Sequence, residues 1–118
     1  LQIDQTRLEQ ILVNLIGNAL DAMHAQPQPQ LWLEGEEFNG KYRLRVRDNG
    51  HGITDLENLF EPFYTTKKPG EGVGLGLAIS SGIVTDLGGR LTARNGEGGG
   101  AVFEMQLPIL GNKQEAAE

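Results

Sequence analysis

The chain has 118 residues, enough for one core and too few for two, and its net charge of -6 argues against a nucleic-acid partner, which needs clustered Lys and Arg to displace counterions. It has no cysteine, which excludes disulfides and thiolate metal sites. With 38% hydrophobic and 22% charged residues and no apolar run near the roughly 20 residues of a membrane span, it reads as a soluble globular domain without a signal peptide. Glycine is in excess, and 11 of its 17 residues fall between Gly70 and Gly100, so this half needs backbone conformations or close approaches that other residues do not provide.

From Asp4, a reasonable N-cap, the residues Leu8, Ile11, Leu12, Leu15, Ile16, Ala19, Leu20 and Met23 recur at steps of three and four and predict an amphipathic helix. Gln26-Pro27-Gln28-Pro29 ends it. Alternation in Leu31 to Glu34 and Tyr42 to Arg47 predicts a hairpin turning near Asn39-Gly40. Residues 54 to 73 carry Pro62, Pro69, Gly70 and Gly72 with little periodicity and predict a long loop, with room for one short helix, that orders on binding. A second helix is expected from about Gly74 to Leu87, stopped by Gly88-Gly89. Arg90 to Arg94 and Ala101 to Leu107 predict a closing hairpin around Asn95-Gly96, with Pro108 ending its last strand. Hairpins segregated from helices predict an α+β two-layer sandwich, with a mixed, mostly antiparallel sheet covered on one face, over residues 1–108; residues 109–118 read as a frayed polar tail.

Three places carry residues suited to chemistry. Arg7, Gln10, Asn14, Asn18 and Asp21 form one stripe beside the apolar stripe of the first helix. A solvated face would look the same, but two asparagines one turn apart are poor interior helix residues, and their carboxamide oxygens suit a hard cation such as Mg2+. On the second strand Tyr42, Leu44, Val46 and Asp48 share a face, so an inward face puts the Asp48 carboxylate inside, where it needs a partner. Asn49-Gly50-His51-Gly52 follows; Asp48 could accept a hydrogen bond from an exocyclic amine such as that of adenine, or could close a type I′ turn with its side chain. Gly70-Glu71-Gly72-Val73-Gly74-Leu75-Gly76-Leu77 opens a helix and offers bare N–H groups to an anion, though its spacing is neither a Rossmann fingerprint nor a P-loop. Thr65-Thr66-Lys67-Lys68 before it could add hydroxyls and a cation, or be a solvated loop.

In this order the segments resemble the four boxes of the catalytic ATP-binding domain of two-component sensor histidine kinases, of the GHKL superfamily. Arg7 to Ala22 resembles the N box, Asp48 to Ile53 the G1 box, Leu59-Phe60-Glu61-Pro62-Phe63-Tyr64-Thr65-Thr66-Lys67 the F box, and Gly72-Val73-Gly74-Leu75-Gly76-Leu77 the G2 box, closed by Gly99 to Phe103 and Leu107-Pro108. The resemblance implies a Bergerat fold that binds ATP and Mg2+. It implies Asn18 as metal ligand, Asn14 as a contact to phosphates and metal and, with Lys67, a catalytic residue, Asp21 among the nucleotide-binding residues, Asp48 as adenine contact, Gly50, Gly52 and Ile53 beside the base, and Phe60, Thr65, Thr66, Gly72, Val73, Gly74, Leu75, Gly76 and Leu77 along the lid and phosphates.

At the position of Asn14, ATP-hydrolysing relatives such as DNA gyrase and the MutL proteins carry a glutamate that activates water. An asparagine cannot act as general base, which moves the implied reaction toward phosphoryl transfer to another group. Asp21 stands where many histidine kinases have a basic residue, Ala22 where they have an aromatic one, and Ala101 where threonine is commoner. The variants resemble the nitrogen- and C4-dicarboxylate-sensing subclass, and Lys67 is the expected replacement for the phosphate cation missing at Asp21. The resemblance further implies a protein-histidine kinase module of a cytoplasmic sensor region. Its partners would be a separate histidine-bearing dimerisation domain of the same kinase and a response regulator downstream, with no membrane contact from this domain. His24, at the helix end, and His51, in the G1 turn, read as ordinary surface residues and not as the phosphoacceptor. A serine kinase of the anti-sigma-factor type, against which Phe60-Glu61-Pro62-Phe63 speaks, and a nucleotide-dependent regulatory module without transfer activity are the alternatives.

Overall fold

The computed structural model describes residues 5–61 and 76–108. Its elements are α1 (Gln5–Ala22), β1 (Leu31–Phe38), β2 (Lys41–Asp48), α2 (Gly76–Asp86), β3 (Arg90–Asn95) and β4 (Ala101–Pro108). The expected N-cap Asp4, the lid beyond residue 61 and the tail 109–118 lie outside the described residues.

Each predicted hairpin forms. Asn39 and Gly40 both take positive φ, 49° and 74°, the backbone of a type I′ turn, and this fixes the register Phe38↔Lys41 through Leu31↔Asp48. β3 and β4 pair from Asn95↔Ala101 to Arg90↔Gln106. The hairpins join through β2 and β4, giving the strand order β1-β2-β4-β3. Every pairing among the described strands is antiparallel, where a mixed, mostly antiparallel sheet was expected.

Because β4 sits between two strands and beneath α2, it is the most buried of the described strands, with Ala101, Val102, Phe103, Met105 and Leu107 all buried. α1 lies over β2, and α2 lies over β3 and β4. Ile11, Leu15 and Ala19 of α1 meet Val84 of α2 and Val46, Phe103, Met105 and Leu107 of the sheet in one core. The buried ridge of α1 is narrower than its apolar stripe: Leu20, one of the stripe's residues, is 57% exposed, whereas Met23, just past the helix, is buried. Packing through an i, i+4, i+8 row turns Leu20 out of the contact. α2 ends as expected, with Gly88 at φ 83° and the Gly89 N–H donating to the Val84 carbonyl at 2.9 Å, a helix-closing arrangement that reuses the last free carbonyls.

The other face of the sheet is an ionic ladder. Arg43, Arg45 and Arg47 of β2 alternate with its core residues and stand opposite Glu36, Glu34 and Trp32 of β1 and Gln106, Glu104 and Val102 of β4. Arg45 binds Glu104 at 2.8 Å, and the Arg43 and Arg47 guanidinium groups stack over Phe38 and Trp32 at 4.2 and 4.3 Å. The arginine stems and rings cover apolar sheet surface, and the Nε atoms of Arg43 and Arg47 are buried there with no hydrogen-bond partner among the described residues.

Candidate functional site

The two asparagines and the inward aspartate are brought to the same flank of α1. Alternation along β2 places Asp48 at the end of the inward row, and it is 1% exposed. One carboxylate oxygen, Oδ1, accepts from the Gly50 N–H at 2.8 Å and the Ala101 N–H at 3.4 Å. The other, Oδ2, is buried with no hydrogen-bond partner among the described residues. A buried carboxylate oxygen left unpaired is costly, so this atom is a built acceptor waiting for a donor. The side-chain-closed turn foreseen as the alternative role of Asp48 therefore exists through Oδ1, but it is not of type I′, since Gly52 alone of residues 49–52 has positive φ. One oxygen holds the turn, and the other is available to a ligand.

The turn is fastened on three sides. The His51 N–H donates to the carbonyl of Ala22, at the end of α1, at 3.2 Å. Asn49 points away from Asp48 and grips the preceding loop: its Oδ1 accepts from the Gln30 N–H at 2.9 Å, its Nδ2 donates to the Gln28 carbonyl at 3.0 Å, and Gln26 Nε2 donates to its carbonyl. On the third side, Asn95 Oδ1 accepts from the Ile53 N–H at 2.6 Å and its Nδ2 donates to the Ile53 carbonyl at 3.1 Å. Gly100 is required here, because a Cβ on it would overlap the Asp48 carbonyl. Gly52 is required by its φ of 83° and by Asn95 Oδ1, which a Cβ would approach to 2.9 Å. Ile53 packs at the edge of the core.

At the other end of the flank, Asn14 ties α1 to the start of α2. Its Nδ2 donates to the Gly76 carbonyl at 3.1 Å and to Ser80 Oγ at 3.0 Å, and Ser80 is fully buried. These bonds use the amide hydrogens and leave Oδ1 as an acceptor. Asn18, half-buried one turn on, has no side-chain hydrogen bond among the described residues. Two carboxamide oxygens on one helix face are hard neutral donors of the kind that complete the shell of a phosphate-bound Mg2+, so the donor set fits that ion. Among the described residues no cluster of three His, Asp or Glu offers a metal an all-protein cage. Asp21 is exposed at the end of the stripe. Along the helix axis Asn14 and Ala22 stand about 12 Å apart at ~1.5 Å per residue, so one helix spans the site from the α2 end to the Asp48 turn.

Gly76 and Leu77 start α2, Leu77 packing against the core. Phe60 places its ring edge-on to Phe103 at 6.4 Å, anchoring the loop after Ile53 to the core. Residues 54–61 form no helix; an Asp55 cap, which accepts from the Asn58 N–H and side chain at 3.2 and 2.8 Å, organises them. Asn58 holds the Asp55 carboxyl below the ordinary aspartate range through these bonds. Thr65, Thr66, Lys67, Gly72, Val73, Gly74 and Leu75 lie outside the described residues. Arg7, in the polar stripe, pairs with Asp86 of α2 at 3.8 Å. His51 is exposed, as expected, and His24 is exposed in the turn just past α1, where a C-terminal helix residue was expected. Asn95 and Ser80 were not foreseen as site residues: their roles rest on partners 42 and 66 residues away, and the one local signal was an asparagine ending a strand before glycine.

Residues 3–111 match the family model of histidine kinase-, DNA gyrase B- and HSP90-like ATPases. The chain is 45% identical over 115 residues to the two-component sensor PprA of Pseudomonas aeruginosa, covering 92% of this chain and 12% of that protein. It is 44% identical over 109 residues to the C4-dicarboxylate transport sensor protein DctB of the same species, covering 90% of this chain and 18% of that protein. The chain thus spans less than a fifth of either relative. Among solved structures it resembles the nucleotide-free catalytic domain of histidine kinase ThkA, with a TM-score of 0.78 and 35% identity over 90% of this chain and 69% of that one. It also resembles full-length ShkA in complex with AMPPNP, with a TM-score of 0.74 and 34% identity over 86% of this chain and 21% of that one. No described helix is long and apolar enough to cross a membrane. With the ordered boxes, the two-layer fold and these matches in agreement, the chain belongs to the histidine kinase-, DNA gyrase B- and HSP90-like ATPase family, and within it to the ATP-binding catalytic domains of sensor histidine kinases.

Proposed function

We propose that this domain presents Mg2+-ATP for transfer of the γ-phosphoryl group to a histidine on a separate dimerisation domain, in a cytoplasmic sensor module that serves a response regulator. The observation that carries the nucleotide end is the buried, unpartnered Asp48 Oδ2, an acceptor suited to the adenine amine. Its companion Oδ1 is already held by two backbone N–H groups, so the carboxylate is fixed before the base arrives. Gly50, Gly52 and Ile53 would line the base, and Phe60 would hold the adjoining loop to the core.

Asn14 and Asn18 would direct their carboxamide oxygens to the phosphates and their Mg2+; when bound, the metal would neutralise charge on the transferring phosphoryl group. Asn14 itself has no basic atom to take a proton from water, which supports transfer over hydrolysis as the domain's task. Lys67 would supply the cation that Asp21 does not, with Thr65, Thr66, Gly72, Val73, Gly74, Leu75, Gly76 and Leu77 along the phosphate side. The similarity to sensor proteins that are five or more times longer supports an acceptor histidine outside this chain.

The test is to mix the 118-residue chain with a histidine-bearing dimerisation domain and γ-labelled ATP, with Mg2+ and then with chelator. Acid-labile, Mg2+-dependent label on the partner's histidine is expected. Label on serine, or bound ATP with no label under any partner tried, would contradict the proposal.

A further inference from the structure

We propose that Asn95, the last residue of β3, is a positioning residue that sets the base selectivity of this site; the inference rests on the reading of Asp48 as the adenine contact. Asn95 is exposed and belongs to no box, yet it makes the pair of hydrogen bonds a neighbouring strand would make to Ile53, accepting from its N–H and donating to its carbonyl. A single carboxamide thereby replaces one rung of a β-ladder across 42 residues of sequence.

What the rung holds is the far end of the turn that Asp48 begins. At the near end, Asp48 Oδ1 takes the N–H groups of Gly50 and Ala101, and Ala101 is the β4 residue paired with Asn95 in the ladder. The turn between them is closed by its own backbone, Gly96 N–H to the Gly100 carbonyl at 3.0 Å and Gly99 N–H to the Gly96 carbonyl at 3.2 Å. One rigid hairpin end therefore grips residues 48–53 twice, at Asp48 through Ala101 and at Ile53 through Asn95. Gly52, with φ 83° and no side chain to brace it, lies between the two grips, so without Asn95 this part of the wall is free to swing away from the base. The distance between Asp48 Oδ2 and whatever rests on Ile53 is fixed only while both grips hold.

A base placed against Ile53 and read by an acceptor at Asp48 must carry a donor at the matching edge. Adenine does. Hypoxanthine presents a carbonyl there and sets an acceptor against the carboxylate. Loosening the Ile53 end lets the base retreat from Asp48, which weakens ATP but relieves the clash with ITP.

The experiment is calorimetric titration of the 118-residue chain with ATP and with ITP, each with Mg2+, for wild type, Asn95→Ala and Asn95→Asp. Wild type is expected to prefer ATP; equal affinities would overturn the adenine reading of Asp48 and this inference with it. Asn95→Ala is expected to weaken ATP about fivefold to tenfold, the loss of two modest hydrogen bonds, and to leave ITP within about twofold, so the preference shrinks. Asn95→Asp keeps the size and the bond from the Ile53 N–H but sets an oxygen against the Ile53 carbonyl, and is expected to lose part of the preference in a chain whose melting temperature is close to wild type. A merely structural residue would weaken both nucleotides alike. A wild-type preference that both variants retain in full would overturn the role of Asn95 while leaving that of Asp48 standing.

Discussion

At the scale of single residues, the site is built from groups that are half satisfied. Asp48 has one oxygen bonded and one idle, and Asn14 has its amide hydrogens bonded and its oxygen spare. Such division orients a side chain before the ligand arrives, so that little is lost to ordering on binding. Asn18→Ala is therefore expected to remove the gain in nucleotide affinity that Mg2+ confers while leaving metal-free affinity near wild type; an unchanged Mg2+ dependence in a nucleotide titration would take Asn18 out of that role. For Lys67, Lys67→Ala is expected to lower the phosphotransfer rate and ATP affinity by about tenfold, the scale of one charge-assisted hydrogen bond. Normal rates and affinity would show that the cation comes from elsewhere.

At the scale of elements, the strands were legible because their periodicity reports a physical constraint that local sequence carries: one face of β2 is core, so Asp48 at the end of its row had to be inside. Asn39-Gly40 was legible for a similar reason, as its two positive φ angles are costly for most other pairs. The burial of α1 was less legible. Leu20 is as apolar as Leu15, and only the angle at which α1 crosses the sheet decides which is covered. Ser80 illustrates the same limit. A serine in α2 acquires its role from Asn14 on another helix, and Ser80→Ala is expected to destabilise the fold by about 1 kcal/mol in urea unfolding, the worth of one buried hydrogen bond.

The ladder on the open face of the sheet gives a pH signature. Partial burial pushes the Glu104 carboxyl up, but hydrogen bonds from Arg45 and Gln106, with the charges of Arg45 and Arg43, outweigh it and hold the group below the ordinary glutamate range. A depressed folded-state pKa contributes stability above the unfolded value, near 4.5, and that stability is lost as pH falls through the folded value. Both partners are partly exposed, at 31% and 16%, so the pair is worth about 1 kcal/mol after screening. Glu104→Gln is expected to lower urea stability at pH 7 by that amount and to flatten its decline below about pH 4.5. An undiminished acid decline in Glu104→Gln would place the titration elsewhere.

At the scale of the whole molecule, the two hairpins and two helices converge on one flank of α1. Its middle meets the start of α2 through Asn14, its end meets the G1 turn through Ala22, and the β3–β4 turn holds that G1 turn from the far side. The order of the boxes along the chain made this convergence readable as a family resemblance. The support behind the boxes was not readable, since Asn95, Ser80 and Ala101 act across 42 to 66 residues, and no local pattern encodes such pairings.

The most direct test of the site is a titration of ATP with Mg2+ into the wild-type chain and into Asp48→Asn, whose shape is nearly unchanged. If Oδ1 stays on the Gly50 and Ala101 N–H groups, the new amide sets a donor against the adenine amine; if the side chain flips, the turn loses its anchor. Either way ATP affinity is expected to fall by at least about tenfold with the fold retained. Equal affinity in the two proteins would contradict Asp48 as the adenine contact, and with it the site described above.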